Sequence, residues 1–291
     1  FNHKDYLVSP WLGHSLAQVH LPPPPQLLKN QELKNERLDS LEQLRDAFDH
    51  DPGVELALTP LWREVMWPTE WLRLRVDPVF YGFNVPHGNG EPVLLVPGFM
   101  AGDFILLEMH RWLKRIGYNA SLSGIISNTD CPDATAKRLL DRVRRIHGET
   151  GQKVKLVGHS LGGMLSKYLV QQEPELIDRV ITMGSPFQSL VKAHPAVVGI
   201  WETLKLNQMG TVGSNLKPSC ATGFCTCGFV QSILQPATVR PPQFAIYSKL
   251  DGVVDWESCI EDDAKMNTQV SCTHIGMIVN HSVYRAVAGR L

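Results

Sequence analysis

Long hydrophobic runs are missing from this chain. Its longest apolar stretches, such as Val93 to Val96, fall far short of the roughly 20 residues a helix needs to cross a bilayer. A soluble protein without an integral membrane segment is the expectation. Excess charge is missing as well: 28 Lys and Arg face 29 Asp and Glu in 291 residues, with no basic run. That balance argues against nucleic acid or an anionic membrane as partner. No internal repeat is present. The spacing of a structural zinc site is also absent, because C-x4-C-x-C at Cys220, Cys225 and Cys227 lacks the paired C-x2-C and histidine partners. No metal and no other cofactor is expected.

Cysteine itself is not scarce. Six are present, the others being Cys131, Cys259 and Cys272, many for a reduced cytosolic enzyme, and they lean towards an oxidising compartment. The expected pairs are Cys259 with Cys272, and Cys220 with Cys225 or Cys227. Secreted and cytoplasmic locations both stay open. Phe1 in place of an initiator Met points to a chain trimmed at its start, for which a removed signal peptide is one origin.

The length suits one large α/β domain with insertions. Residues 1–90 read as an N-terminal extension packed on the core. Within it, Pro22 to Pro25 form a stiff polyproline run. Leu33, Leu38, Leu41, Leu44 and Phe48 recur at helical spacing, which predicts a helix over 31–48. A second helix is expected from Pro60 to Trp71, with Trp62, Met66, Trp67 and Trp71 packed against the core rather than forming a ligand site. From residue 91 onward, apolar strand-like runs at 93–96, 118–122, 154–157, 179–184, 243–248 and 269–272 mostly alternate with helical patterns. This rhythm predicts a mostly parallel, doubly wound sheet. It breaks between about 187 and 242, where Pro195 to Met209 reads as a helix inside an insertion expected to form a cap or lid.

Lys153 to Lys167, KVKLVGHSLGGMLSK, reads as strand, sharp turn and helix, with Ser160 at the turn inside Gly158-His159-Ser160-Leu161-Gly162. A strand that reverses into a helix so quickly strains the serine backbone and exposes its hydroxyl, so its neighbours two residues away must be small. A serine hydroxyl becomes a nucleophile only with a base to take its proton and donors to stabilise the oxyanion. His274, at a strand-to-helix turn beside Gly276, is the preferred base, ahead of His281 in the last helix. His159 reads as a packing or hydrogen-bonding residue. Asp251, at a strand end before Gly252, is preferred over Asp255 as the acid that orients the imidazole. The backbone N–H groups of Phe99 and Leu161 are the expected oxyanion donors. Met100, Val197, Trp201 and Val254 are expected to line the substrate pocket.

Taken together, LLVPGFMAG (94–102), LVGHSLGG (156–163), MGSP (183–186), YSKLDGVVDW (247–256) and THIGM (273–277) resemble the α/β-hydrolase superfamily in its bacterial lipase and esterase branch. The lead-in WPTEWLRLRVDPVF (67–80) is similar to that of actinobacterial esterase-like members. The likeness spans residues 60–291 and implies an α/β-hydrolase fold over 91–291, with Ser160, Asp251 and His274 matching the family triad. Pro97-Gly98 departs from the usual His-Gly. The expected activity is hydrolysis of a small hydrophobic ester through an acyl-enzyme, with acyl transfer to another acceptor or thioester hydrolysis as alternatives on the same scaffold. A non-catalytic binding protein is the reading from another class.

Overall fold

Residues 54–189, 191–217, 219–220, 225–234 and 241–291 are described by a computed structural model. The expected helix 31–48 and the polyproline run lie outside them. Eight strands are present in this part: β1 (Val54–Leu56), β2 (Pro92–Val96), β3 (Asn119–Leu122), β4 (Val154–His159), β5 (Ile177–Met183), β6 (Val191–Ala193), β7 (Gln243–Ser248) and β8 (Asn267–Val270). The helices are α1 (Trp67–Val76), α2 (Leu107–Arg115), α3 (Pro132–Thr150), α4 (Leu161–Gln172), α5 (Pro195–Gln208), α6 (Gly228–Leu234) and α7 (His281–Arg290).

Six strands form one sheet in the order β3-β2-β4-β5-β7-β8, and every pair is parallel. Strands buried on both faces read as continuous apolar runs, and successive side chains then divide between two layers. Val93, Leu95, Val157, Ile181 and Ile246 pack with Leu74 of α1, Trp112 of α2 and Tyr284 of α7. Leu94, Val96, Leu156 and Val180 pack with Leu139 and Val143 of α3 and Leu165 and Leu169 of α4. The chain runs from β2 to β3 on one side and then to β4 on the other. That reversal opens a crevice beyond the carboxyl ends of β2 and β4, the place where open α/β sheets bind ligands.

Two segments outside this sheet meet each other. β1 pairs in parallel with β6, and Ala193 bridges Val254 just beyond Asp251. Lys192 joins both partners by ion pairs to Glu55 and Asp255, 3.3 and 2.8 Å. The lead-in before β2 is thereby stitched to the insertion after β5 and to the loop after β7. Within the insertion α5 faces the crevice, while Phe229 and Val230 of α6 join the layer of α3 and α4.

Two expectations are corrected. Trp62, Trp67 and Trp71 are not packed inside; they are 70%, 41% and 38% exposed. The turns that carry them, a 3-10 helix at Leu61–Met66 followed by α1, bury Glu64, Glu70 and Leu74 instead. All six cysteines are free thiols. Cys259 packs with Ala193, Val198 and Val254, whereas Cys272 sits in the large core layer, so the expected Cys259–Cys272 bridge is absent. Cys220 bonds neither Cys225 nor Cys227; it packs against Cys131 at the start of α3. A hydrogen bond with Cys220 draws the Cys131 thiol down to about 6. Among the described residues no helix is long and apolar enough to cross a membrane.

Candidate active site

Ser160 joins the end of β4 to α4 with φ 52° and ψ −125°, a region that strains any residue with a Cβ. Tertiary contacts impose it. The Ser160 N–H donates to Met183 C=O of the neighbouring strand. A Cβ on Gly158 would collide with the backbone of Gly162, and one on Gly162 with the carbonyls of Val96 and Pro97. Gly98 is also tight, since a Cβ there would stand 3.0 Å from the Ser160 Cβ. The turn after β2 is therefore pressed onto the turn after β4. Asn128, almost fully buried, braces it by donating to Pro97 C=O (2.9 Å) and accepting from Met100 N–H (3.1 Å).

His274 and Asp251 come from the loops after β8 and β7. The imidazole Nδ1 donates to Asp251 Oδ2 at 2.7 Å, with both side chains buried. The other carboxylate oxygen accepts from the N–H groups of Val253 and Val254, 2.8 and 2.9 Å. Nδ1–H pointing at the carboxylate leaves the Nε2 lone pair free. Gly184, with φ +57°, leaves room for the ring, since a Cβ there would approach Nδ1 to 3.2 Å. Burial alone would lower the affinity of His274 for a proton. The charge and hydrogen bond of Asp251, with Glu64 behind, more than offset it, and its pKa lies above the ordinary histidine value.

The remaining candidates are placed as follows. His159 is fully buried, its ring 4.8 Å from that of His274, and its Nε2 donates to His274 C=O at 3.0 Å. Burial, then the neighbouring His274, hold its pKa down to about 3, so it is the neutral tautomer with hydrogen on Nε2. Asp255 is engaged elsewhere, with Lys192 and as the cap of the 3-10 turn Trp256–Cys259. His281 begins α7 and does not line the cavity at Ser160. Neither is brought to Ser160.

Ser160, His274 and Leu161 line one cavity of about 460 Å³, together with Phe99, Met100, Val197, Trp201 and Val254. Trp201 of α5 meets the Phe99 ring edge-on at 5.5 Å. Neither the Phe99 N–H nor the Leu161 N–H has a backbone acceptor among the described residues.

Comparison with known proteins agrees with this architecture. A family model described as alpha/beta hydrolase fold matches residues 116–217. The mature lipase BlEst2 of Bacillus licheniformis superposes with a TM-score of 0.51 at 18% identity, covering 71% of this chain and 94% of that one. The chain has an α/β-hydrolase fold. In sequence it is similar to a triacylglycerol lipase of Burkholderia plantarii, 36% identical over 125 residues, 40% of this chain and 35% of the relative. A triacylglycerol lipase of Pseudarthrobacter phenanthrenivorans is 36% identical over 105 residues, 33% of each chain. The chain thus matches about a third of the length of these relatives.

Two groups that sequence reasoning passed over belong to this hydrolase-fold site. Glu64 and Glu70 are buried against the His274 loop. The nearest trace in the sequence is a pair of glycines, Gly252 directly after Asp251 and Gly276 two residues after His274, and it singles out neither acid.

Proposed function

We propose that the protein is a serine carboxylic-ester hydrolase of the lipase and esterase type, with Ser160 as nucleophile, His274 as general base and acid, and Asp251 as the orienting carboxylate. The observation that carries this reading is the shared cavity. A strained, partly accessible serine and a buried imidazole open into it, and Asp251 stands 2.7 Å behind the imidazole.

In this reading His274 Nε2 takes the Ser160 proton as Oγ attacks the ester carbonyl. The carbonyl oxygen becomes an oxyanion that accepts from the N–H groups of Phe99 and Leu161, each such donor worth about 3 kcal/mol of transition-state stabilisation. The raised proton affinity of His274 favours the imidazolium formed at this step. The C–O bond then breaks and the alcohol leaves with the proton from Nε2. Water, deprotonated by the same nitrogen, attacks the acyl-enzyme, and collapse of the second oxyanion frees the acid and restores the serine proton. The cavity walls of Met100, Val197, Trp201 and Val254 suit the acyl part of a hydrophobic ester, and the volume falls within the usual range for small ligands.

The test is covalent labelling by a fluorophosphonate together with hydrolysis of p-nitrophenyl esters of increasing chain length. Labelling at Ser160 and loss of both signals in Ser160→Ala are expected. Ester hydrolysis that persists in Ser160→Ala would sink the mechanism.

A further inference from the structure

The loops that carry Asp251 and His274 meet through that side-chain pair and through the Ser248 hydroxyl, which donates to Cys272 C=O and accepts from Cys272 N–H; the lead-in before β2 adds a hold on both. Glu64 Oε1 accepts from the N–H of Gly252 at 2.8 Å and from the N–H of His274 at 3.0 Å. Its Oε2 accepts from the N–H of Ile275 at 2.7 Å. One carboxylate therefore spans the residue after the acid, the base itself and the residue after the base. Thr59 adds a hydroxyl donating to Gly252 C=O at 2.6 Å. Glu70 grips the neighbouring position, accepting from Thr273 N–H at 2.8 Å and from the Asn280 side chain at 3.0 Å.

The arrangement is expensive to build by chance. Both carboxylates are buried, 6% and 7% exposed, and neither has an ion-pair partner among the described residues. Buried acids without a cation are tolerated where several donors satisfy them, and here all the donors belong to the loops of the base and acid. The glycines there fit this account. A Cβ on Gly252 would stand 2.8 Å from Glu64 Oε1, and one on Gly276 would collide with the Glu70 carboxylate. The D-G and H-I-G patterns keep space for two acids that lie about 200 residues earlier in the chain.

We propose that Glu64 is the positioning residue of the base, fixing the backbone on either side of the His274–Asp251 contact and setting a second negative charge behind the imidazole. The proposal rests on the ester-hydrolase reading for its kinetic consequences, whereas its geometric and electrostatic content does not. The titratable groups around the ring are Asp251, Glu64 and the neutral His159. Glu70 grips the preceding residue, Glu202 lines the same cavity, and the thiols of Cys259 and Cys272 are kept protonated by burial. Of these, Asp251 and then Glu64 raise the proton affinity of His274.

Glu64→Gln removes the charge and turns one acceptor into a donor at nearly constant volume. The His274 titration is followed by NMR on histidine-labelled protein in a Ser160→Ala background, and the pH profile of kcat/KM on the catalytically intact protein. In folded Glu64→Gln the His274 midpoint is expected to move to lower pH, the acid limb of kcat/KM with it. The expected fall in kcat is about 10-fold to 100-fold, the scale for misplacing a reacting group, with KM little changed. Glu70→Gln, which disturbs the same loop through Thr273, is expected to lower Tm and leave the His274 midpoint in place. An unmoved midpoint in Glu64→Gln, or an equal movement in Glu70→Gln, overturns the proposal. Should Glu64→Gln not fold, Glu64→Asp keeps the charge and shortens the reach; parental kcat in that variant would equally overturn it. If the midpoint moves as expected but no ester is cleaved, the proposed function falls and the positioning role stands.

Discussion

The nucleophile side of the proposed site and its base side are built by different means. Ser160 is held by the sheet that carries it: its strained turn lies between β4 and α4, and the glycines that permit it contact the backbone of β2 and of the turn itself. His274 and Asp251 sit on loops at the far edge of that sheet, and Glu64 and Glu70 hold them from a segment that contributes nothing to it. The first half is closed within the sheet itself, by β4 and its neighbours β2 and β5. The second is assembled across the sequence, so its geometry depends on the lead-in being docked. The contrast is open to direct attack by substitution.

The largest effect should come from the reacting atoms. Ser160→Ala should lower kcat by about 10⁶-fold, as removal of a nucleophile does where triad members act as a unit. Asp251→Asn should lower it by about 10⁴-fold, because the amide oxygen stays with the N–H groups of Val253 and Val254 and the NH2 then donates to Nδ1, fixing the wrong tautomer. Asp255→Asn should leave kcat within a few-fold while loosening the Lys192 contact. Steady-state kinetics on a soluble ester checks the order, and a larger loss at Asp255 would reverse the assignment of the acid.

The next test separates the two halves. Gly162→Ala drives a methyl into the carbonyls of Val96 and Pro97, rigid backbone in the centre of the sheet. A stability loss of about 3 kcal/mol is expected, read as a drop in the urea midpoint. Gly276→Ala meets the Glu70 carboxylate instead, which can swing away and leave the Thr273 N–H unpaired. Its stability loss should be smaller, about 1 to 2 kcal/mol, while kcat falls more steeply than stability does. If both variants lose stability alike with kcat preserved in the folded fraction, the distinction between the halves is wrong.

The same contrast explains what was legible in the sequence. The strand runs and the G-x-S-x-G turn are short-range patterns, and the doubly wound sheet follows from their alternation. Asp251 and His274 could be picked as strand-end residues, although Asp255 and His281 obeyed similar local rules. What removes those two is tertiary: Lys192 and a helical cap engage Asp255, and α7 carries His281 away. Glu64 was not legible because an acid in an exposed tryptophan-rich turn looks like any solvated charge. Its partners are backbone N–H groups, which have no signature of their own. The inward packing expected of Trp62, Trp67 and Trp71 failed for the matching reason, since the side turned inward was chosen for its carboxylates. The thiols show the same limit: Cys259 was expected to pair with Cys272 beside the acid and base loops, but the fold sends them to separate layers.

His159 is the residue that crosses between the halves, since it ends β4 beside Ser160 and donates to the carbonyl of His274. Its destabilising effect depends on pH and vanishes at neutrality. Folding lowers its pKa from 6.5 to about 3, so below pH 6.5 the unfolded chain takes up a proton that the native one refuses. The stability this residue contributes is therefore complete above 6.5 and is lost as pH falls towards 3. At pH 5, 1.5 units below the unfolded value, the loss is about 2 kcal/mol. His274 works the other way, because its pKa is raised; its contribution is complete below 6.5 and is lost as pH rises through the folded value. His159→Gln keeps a donor for the His274 carbonyl and cannot titrate. Urea unfolding at pH 7 and at pH 5 should show the parent losing about 2 kcal/mol more than the variant between these values. Equal slopes in the two proteins would mean that the native state accommodates a charged His159, and that the contact joining the halves can open at mild acidity.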